Sequence, residues 1–568
     1  MGCGTSKDSG NVEHAVERQE GKKEEEVKGG CKEHKTFHLI HFNDVYNINE
    51  KDTEPVGGAA RFITAVEKYK DLNPLVLFSG DIFAPSKLSQ TMKGKQMIPF
   101  LDKVGIDVTC VGNHDFDFGV YEFTLLKDKT NFPWLLSNVW DSKTKKIFGD
   151  CTDHHIMEHQ GFKIGFIGLA ELEWLGVCPY IEEEDYDYED FVKCARRWCE
   201  DLKSQGCDLI IALTHMRVKN DKHLADQVPE LDMILGGHDH FEADFNIHNT
   251  LVLKSGTDFR QFSLINVEMN CPEERLQEEK SALVVDHDKK RIIGWERVEI
   301  TKQFDPNPEM QEIVDGYWKE VALELEKIAG NTGVDLDARF SEIRTKETNI
   351  SNLVADAMRL MLDTDVCLIN SGSLRIDDII EKGILRWKHV DTLFPMQDDT
   401  VIIRIKGEDL LEAFENSVSA LPKMDGCFPC ISGAKIKFDS SKPAFERILE
   451  ASINGQPIQD NELYTMATKE YLYDGKDGFK SLVNAEMIAD GEDCPTLDTL
   501  FINFFQLMTK RNSKWFSTKK KRVERGLEII HNEDRHLLTE DEEGNPTDQK
   551  YFTIYPKVDG RLVNVAEE

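Results

Sequence analysis

Metal-binding side chains follow five short apolar runs of this sequence. Each run is rich in Val, Ile and Leu and closes on Gly, Asn, Asp or His, which is typical of a buried strand and its exit loop. The five segments are residues 39–44, 75–81, 108–115, 209–215 and 231–240. Carboxylate, amide and imidazole groups that lie beyond the ends of several strands can converge on a divalent cation. The pattern therefore predicts a metal-dependent hydrolase.

The elements that must position these side chains are those of an α/β protein in more than one domain. At 568 residues the chain is long for a single hydrophobic core. Residues 36–300 alternate strand-like runs with polar, helix-like stretches, which predicts one α/β domain, and residues 341–509 predict a second. Between them we expect a linker helix region at 301–340. Residues 1–35 are predicted to be a disordered tether, and 510–568 a basic and acidic extension.

The linker prediction depends on a helical pattern over residues 307–329. Apolar side chains recur there at helical spacing, namely Val314, Trp318, Val321, Leu325 and Ile328. The helix either connects the two domains or lies on the surface of the first. In the second domain we expect a helix over residues 349–361 and strands over 365–370 and 401–405.

Composition excludes several classes of function. The formal net charge of −35 disfavours nonspecific binding to nucleic acid, so no nucleic-acid partner is expected. No apolar stretch has the length needed to cross a bilayer, and the first residues lack the apolar region of a secretory signal. The 13 cysteines are scattered, which favours reduced thiols in the cytosol.

The first six residues match an N-myristoylation pattern, with Gly2 as the acceptor and Ser6 at the small hydroxyl position. Cys3 is placed for a second, reversible acyl chain, and one acyl chain alone binds membranes only marginally. Residues 510–525 hold eight Lys or Arg. They form either a solvated face or a polybasic patch for an anionic inner leaflet. The expected location is the cytoplasmic face of a membrane, or otherwise the cytoplasm.

Taken in order, the motifs resemble those of the 5′-nucleotidase family of metallophosphoesterases, over residues 36–503. The resemblance implies a four-layer α/β/β/α sandwich, a linker helix and a second α/β domain that binds substrate. It also implies two divalent ions of Zn, Mn, Fe or Co, held by Asp44, Asp81, Asn113, His215, His238 and His240. In the GNHDFD segment, His114 corresponds to the catalytic histidine and Asp117 to its partner.

The first motif departs from the family pattern. Most members have Asp-x-His there, whereas this chain has Asp44-Val-Tyr46, and its last motif ends in His240 where many nucleotidases have Gln or Asn. Tyr46 is either a weak metal ligand or a residue that packs beside the site. A phenol with a pKa of about 10 is not ionised unless a metal drives it, which favours packing.

The resemblance also assigns substrate contacts to the second domain. Arginines would bind phosphate, an asparagine would position the nucleoside, two aromatic rings would sandwich the base, and an aspartate would hold the ribose hydroxyls. These residues are Arg344 and Arg375, Asn370, Phe428 and Tyr471, and Asp477. Phe428 lies inside Cys427-Phe-Pro-Cys430, which is either a pair of reduced thiols or a redox pair that repositions the ring.

The function implied is hydrolysis of nucleoside 5′-monophosphates to nucleoside and phosphate, in nucleotide catabolism. Nucleotide sugars and 2′,3′-cyclic nucleotides are alternative substrates for the same two-metal chemistry. A protein of another class, a catalytically silent nucleotide-binding protein at the membrane, is supported by the loss of histidine at Tyr46. Retention of His114 and Asp117 opposes that alternative. The sequence specifies neither base preference nor oligomeric state.

Overall fold

The structure is a computed structural model, which describes residues 33–175, 178, 181–277, 283–396, 398–510, 537–540 and 546–567. The predicted acylation sites Gly2 and Cys3 and all but the first residue of the basic segment 510–525 lie outside these residues. Among the helices described, none combines the length and apolar character needed to span a membrane.

The first half of the chain alternates strands and helices as predicted. Its strands are β1 (Lys35–Phe42), β2 (Leu75–Phe78), β3 (Val108–Cys110), β4 (Trp134–Leu135), β5 (Val139–Asp141), β6 (His154–His159), β7 (Phe162–Ala170), β8 (Tyr186–Tyr188), β9 (Leu209–His215), β10 (Met233–Gly237), β11 (Glu242–Ile247), β12 (Thr250–Ser255), β13 (Gln261–Met269), β14 (Leu283–Asp286) and β15 (Arg291–Glu299). Its helices are α1 (Ala59–Glu67), α2 (Lys87–Met92), α3 (Ile98–Val104), α4 (Val120–Lys127), α5 (Leu172–Leu175), α6 (Phe191–Ser204), α7 (Val218–Gln227), α8 (Glu273–Leu276) and α9 (Pro308–Leu325).

Two sheets lie face to face in this domain, in the orders β14-β15-β13-β1-β2-β3-β4 and β11-β12-β10-β9-β7-β6. An apolar core, which includes Leu77 and Leu213, lies between them. Helices α1, α3 and α9 contribute to a second core with the first sheet, and α6 and α7 to a third with the second sheet. Strands covered on both faces read as continuous apolar runs, which is why the sequence predicted them. The expected α/β/β/α sandwich is confirmed.

Helix α9 lies within the predicted linker region and takes up 18 of its 40 residues. Its Met310, Val314 and Val321 are buried in the core that it shares with α1 and α3, while Trp318 is 45% exposed. The helix ends at Leu325, and Ile328 begins the next strand instead of continuing the helical pattern. The helix therefore contributes to the first domain's core at the point where the chain leaves that domain.

The second half of the chain forms the other α/β domain. Its strands are β16 (Ile328–Thr332), β17 (Leu336–Asp337), β18 (Val366–Asn370), β19 (Ile379–Ile380), β20 (Gly383–Arg386), β21 (Thr400–Lys406), β22 (Pro429–Ser432), β23 (Ala434–Phe438), β24 (Ile448–Ile453), β25 (Gln456–Pro457), β26 (Leu463–Lys469), β27 (Glu486–Ala489), β28 (Leu537–Glu540), β29 (Pro546–Ile554) and β30 (Leu562–Asn564). Its helices are α10 (Phe340–Ile343), α11 (Asn349–Leu362), α12 (Trp387–Leu393), α13 (Gly407–Val418), α14 (Glu470–Tyr473) and α15 (Leu497–Lys510).

A five-stranded mixed sheet, β22-β18-β26-β21-β27, organises the second domain. Helices α11 and α15 share one apolar core with this sheet, and α13 shares another. The end of the chain returns to the same domain, because β29 pairs in parallel with β16 and β30 with β23.

The two domains meet beside the strand ends that carry the predicted metal ligands. Lys87 Nζ of α2 donates to Asp391 Oδ1 of α12 at 2.7 Å, and Gln90 contacts Asp498 at the start of α15. Asn503 Nδ2 of α15 donates to the backbone oxygen of Asp117 at 2.8 Å. The second domain is thus in direct contact with the loop that carries the predicted catalytic histidine.

Candidate metal centre and active site

Five of the predicted metal ligands lie at the carboxyl ends of neighbouring strands. Asp44 follows β1, Asp81 follows β2 and Asn113 follows β3, and these strands are paired in parallel. In the second sheet, His215 ends β9 and His238 follows its parallel neighbour β10. Parallel pairing brings the exits of adjacent strands to one edge, so both sheets present their polar side chains on the same side of the domain.

The backbone at three of these exits is in the left-handed region. Asp44 has φ 53°, Asp81 has φ 64° and His238 has φ 78°. A non-glycine residue in this conformation is uncommon and costs about 1–3 kcal/mol, and such residues cluster at functional sites. The turn at each exit carries the chain away from the strand at the residue whose side chain is needed in the site.

His215 lies beside two buried carboxylates. Its Nε2 is 3.2 Å from Asp81 Oδ2 and 3.9 Å from Asp44 Oδ1. Its Nδ1 is 2.8 Å from the backbone oxygen of Ser79, which can only accept, so Nδ1 carries the hydrogen and Nε2 is directed at the carboxylates. Burial lowers the pKa of His215, but the two carboxylates outweigh it and raise that pKa to about 9. This cluster therefore attracts positive charge strongly.

The other half of the cluster is built from the second sheet and the loop after β3. His238 Nδ1 lies 3.2 Å from Asn113 Oδ1, and the backbone N–H of His238 donates to Asp44 Oδ2 at 3.0 Å. His240 Nε2 lies 3.6 Å from Asp44 Oδ1. All six predicted ligands are thus gathered around Asp44 and Asp81.

The donor set fits divalent metal ions. Carboxylate and amide oxygens with borderline imidazoles suit Zn²⁺, Mn²⁺, Fe²⁺ or Co²⁺. One ligand atom from each of Asp44, Asp81 and His215 lies within 4.8 Å of the others. Among the residues that the structure describes, Nε2 of His215 and Nε2 of His238 are buried with no partner at hydrogen-bonding geometry. Buried polar atoms are normally paired, so a cation is the fitting partner for His215 Nε2.

Tyr46 lies in the site itself. Its hydroxyl oxygen is 3.1 Å from Asp44 Oδ1, 3.2 Å from Asp81 Oδ2 and 2.8 Å from His240 Nε2. Burial and then the two carboxylates raise its pKa well above the usual value, so the phenol keeps its proton and acts as a donor. Whether Tyr46 binds the metal weakly or only packs beside it is not tested by these contacts, and packing stays the prediction.

His114 and Asp117 form a buried pair beside the metal cluster. His114 Nδ1 donates to Asp117 Oδ2 at 3.0 Å, and the backbone N–H of His114 donates to Asp81 Oδ1 at 2.8 Å. Burial lowers the pKa of His114, but Asp117 and Asp81 outweigh it and raise that pKa to about 10. The imidazole is therefore held protonated and oriented against the cluster.

Asp115 is a site residue that sequence reasoning missed. Its carboxylate accepts from the backbone N–H groups of Asp81 at 3.1 Å, Ile82 at 2.9 Å, Phe83 at 3.3 Å and Gly112 at 2.9 Å. These bonds fasten the loop after β2 to the loop after β3. Its position between His114 and Asp117 could have suggested that Asp115 belongs to the site. That an aspartate binds backbone N–H groups of another loop, however, cannot be inferred from its residue type.

Lys254 was also missed, although it fixes the loop that carries two histidines. It is fully buried, with Nζ 2.9 Å from Asp221 Oδ2 and 2.8 Å from Asp239 Oδ2. The same Nζ donates to the backbone oxygens of Met216 and Gly237. These contacts fix the residues on either side of His238.

The predicted nucleoside contacts fall into two groups. Asp477 accepts from Asn370 Nδ2 at 2.8 Å and from the Tyr471 hydroxyl at 2.9 Å, and the Tyr471 side chain is 44% exposed. Phe428 is only 2% exposed and belongs to the core beneath α13. In this conformation one ring of the predicted pair is available to a ligand, and the role of Phe428 stays a prediction.

The two predicted phosphate-binding arginines are placed differently. The Arg344 guanidinium stacks on the Phe340 ring, with 3.9 Å from its carbon to the ring centre. Arg375 is exposed and follows the short turn Ser371–Ser373 after β18, near enough to Tyr471 to lower its pKa, although burial and Asp477 raise it overall. Of the pair, Arg375 therefore lies with the exposed aromatic ring.

The sequence matches models of two protein families, one in each domain. The calcineurin-like phosphoesterase model matches residues 37–242, and the model of the 5′-nucleotidase C-terminal domain matches residues 328–484. The 5′-nucleotidase of Diplobatis ommata is 24% identical over an alignment of 498 positions, which covers 80% of this chain and 84% of that protein. The chain combines a calcineurin-like phosphoesterase domain with a 5′-nucleotidase C-terminal domain. Together with relatives named 5′-nucleotidase, these matches identify a phosphoric ester hydrolase, and the metallophosphoesterase domain implies divalent metal ions.

Two further similarities bear on the family's range and fold. The trifunctional nucleotide phosphoesterase YfkN of Bacillus subtilis is 24% identical over an alignment of 568 positions, which covers 91% of this chain and 36% of that protein. The solved structure of the NAD nucleotidase of Haemophilus influenzae superposes with a TM-score of 0.69 at 18% identity, covering 83% of this chain and 96% of that one. At this identity, the structural likeness establishes the two-domain fold alone.

Proposed function

We propose that this protein hydrolyses nucleoside 5′-monophosphates to nucleoside and phosphate at a centre of two divalent metal ions. The observation that carries the proposal is the position of the buried His114–Asp117 pair directly against the cluster of Asp44, Asp81 and His215. A hydrolase needs both a cation site for the phosphoryl group and a proton donor for the leaving group, and these are adjacent here.

The ligands divide into two sets that share one carboxylate. Asp44 and His240 would hold the first ion, Asn113, His215 and His238 the second, and Asp81 both. When bound, such ions supply Lewis acidity for phosphoryl chemistry. Zn, Mn, Fe and Co all suit these donor types.

His114 would supply the proton of the reaction. Its Nδ1–H is engaged by Asp117, which leaves the proton on Nε2 for the oxygen of the leaving ribose. As the phosphorus–oxygen ester bond breaks and a water oxygen bonds to phosphorus, that proton passes to the 5′ oxygen of the nucleoside. The proton that the water releases would return the imidazole to its protonated form. Proton transfer of this kind contributes about 10²- to 10⁴-fold in rate.

The second domain would hold the nucleoside. Tyr471 offers an exposed ring for stacking on the base, and Asp477, oriented by Asn370, offers carboxylate oxygens to ribose hydroxyls. Stacking contributes about 1–3 kcal/mol per base and tolerates different bases. Arg344 and Arg375 would bind the phosphate, and Phe428 would stack on the base only if it left the core that it shares with α13.

The test is phosphate release by the full-length chain from AMP, UMP, UDP-glucose and 2′,3′-cyclic AMP, with Mn²⁺, Zn²⁺ or Co²⁺ and with a chelator. We expect metal-dependent turnover of the monophosphates, and its loss in His114→Ala without loss of bound metal. If only UDP-glucose or only the cyclic nucleotide were hydrolysed, that compound and not a nucleoside monophosphate would be the substrate. Absence of turnover in a chain that holds its metals would favour a silent nucleotide-binding protein.

We also propose that the chain is held at the cytoplasmic face of a membrane by acyl groups on Gly2 and Cys3, assisted by the basic residues of 510–525. The support is the sequence pattern alone. Cys3 and the basic residues are included because a single acyl chain needs a second signal for stable membrane binding. Mass spectrometry of the mature N-terminus tests the acylation, and an unmodified Gly2 would refute it. Binding to vesicles that did not depend on acidic lipid would remove the basic segment from the proposal.

A further inference from the structure

A loop of the second domain reaches onto the predicted metal ligands of the first. It follows β27 and spans residues 490–493, ahead of α15. The backbone oxygen of Glu492 accepts from Asn113 Nδ2 at 2.6 Å. The side chains of Glu492 and Asp493 then face two different histidines of the metal cluster, His240 and His238. The loop therefore contacts three of the six predicted ligands.

Glu492 approaches the nitrogen of His240 that faces the first site. His240 Nε2 lies 2.8 Å from Glu492 Oε2, 2.8 Å from the Tyr46 hydroxyl oxygen and 3.6 Å from Asp44 Oδ1. One imidazole nitrogen carries at most one hydrogen, so it cannot donate a full hydrogen bond to Glu492 and to Tyr46 at once. Ligand atoms that share an ion at roughly 2.1 Å lie about 3 Å from their neighbours, so this spacing matches a shared ion.

Asp493 approaches the opposite nitrogen of His238. With Nδ1 beside Asn113, His238 directs Nε2 at Asp493 Oδ1, 3.4 Å away, and at Glu171 Oε1, 4.0 Å away. All three side chains are fully buried. Within the described part of the chain, neither Nε2 nor Asp493 Oδ1 has a partner at hydrogen-bonding geometry. A carboxylate behind a metal-binding imidazole fixes its ring and raises its basicity.

Carboxylates from both domains crowd together at this contact. The loop brings two carboxylates against Asp44, Asp81 and Glu171, while Arg217, 2.6 Å from Glu171 and 4.0 Å from Asp493, is the neighbouring arginine in the contacts described. Asp493 is fully buried, whereas the Glu492 side chain is 40% exposed, and carboxylates that lie close together in a buried site repel one another unless positive charge offsets them. Two divalent ions between the domains would offset that repulsion, so ion binding and docking of the loop favour each other.

We propose that the metal centre is shared between the domains, with Glu492 as a ligand of the first ion and Asp493 as the residue that positions His238 on the second. The inference rests on the proposed two-ion centre. It assigns the second domain a part in metal binding in addition to its predicted part in substrate binding. It also gives the first site, which has a phenol at Tyr46, a third carboxylate beside Asp44 and Asp81.

The first experiment measures Mn²⁺ binding to the full-length, metal-stripped chain by calorimetry, with metal content checked by mass spectrometry. The wild type should bind two ions. Glu492→Gln should weaken one of them by at least about 10-fold, and Asp493→Asn should weaken the other by about 10- to 100-fold. Glu486→Gln is the matched control, since this carboxylate is 63% exposed on β27 and pairs with Arg404. It should bind both ions like the wild type.

The second experiment follows backbone hydrogen exchange in residues 490–496, with and without Mn²⁺. Ions should slow exchange there in the wild type and in Glu486→Gln, but much less in Glu492→Gln. The shared centre would be wrong if Glu492→Gln bound two ions at wild-type affinity. It would also be wrong if Mn²⁺ did not change the rate of hydrogen exchange in the wild-type loop. Either result would leave the proposed function standing. A wild-type chain that binds fewer than two ions would overturn both.

Discussion

Replacing Asp117 by asparagine should separate proton donation from metal binding. The pKa of His114 rises from 6.5 to about 10, which corresponds to about 5 kcal/mol of favourable interaction with the protonated ring. Asp117 is the leading favourable cause and Asp81 the next, and Asp81 would be neutralised by bound ions. The amide introduced by Asp117→Asn keeps an oxygen for the Nδ1–H of His114 but removes the negative charge. The pKa of His114 should therefore fall by about 2 units or more.

The assay is phosphate release from AMP between pH 5.5 and 9 at saturating Mn²⁺. A pKa lowered by 2 units from about 10 leaves about half of the imidazole protonated at pH 8 and about a tenth at pH 9. Relative to the wild type, kcat should therefore fall by about 2-fold or more at pH 8 and by about 10-fold or more at pH 9, and it should recover as the pH is lowered. Bound metal should stay at the wild-type level because neither residue is a predicted ligand. A variant with two ions bound and a kcat within threefold of wild type at every pH would refute this role for Asp117.

Three further outcomes are expected. Lys254→Met leaves the buried carboxylate of Asp221 and the partly buried carboxylate of Asp239 without their cation. It should lower the free energy of unfolding by about 3–5 kcal/mol in calorimetry, and a loss below 1 kcal/mol would contradict the contacts described. Asp477→Asn should raise KM for AMP about 10-fold with little change in kcat, and an unchanged KM would place the ribose elsewhere. Burial raises the pKa of both Cys427 and Cys430 to about 12, so a thiol reagent at pH 7.5 should label neither until the chain is denatured, and rapid native labelling would revive the redox-pair hypothesis.

Much of the fold was predictable because its strands are buried on both faces. Such strands appear in the sequence as continuous apolar runs, and their exits are marked by Asp, Asn, His and Gly. The helix over residues 307–329 was predicted to extend beyond its observed end at Leu325, since Ile328 suits a strand as well as a helix and pairing with β20 and β29 decides between them. The local sequence pattern does not show that this segment pairs with β20 and β29.

The candidate site was predictable where one residue type at a strand exit suffices, as for Asp44, Asp81 and His215. It was not predictable where a side chain acts by binding backbone groups of segments that are distant in the sequence, as Asp115 and Lys254 do. The burial of Phe428 likewise depends on how α13 packs over its loop. Packing between segments far apart in the chain is decided by shape and not by local composition.

The sequence by itself determined which groups are available for metal binding and proton transfer, and their order along the chain, because these follow from side-chain chemistry and strand periodicity. The tertiary structure decided the rest. It placed the Tyr46 phenol between two carboxylates and turned Nε2 of His215 toward them. It also brought Glu492 and Asp493 of the second domain onto histidines that belong to the first. Only the docking of one domain on the other creates that contact, and no local pattern encodes it.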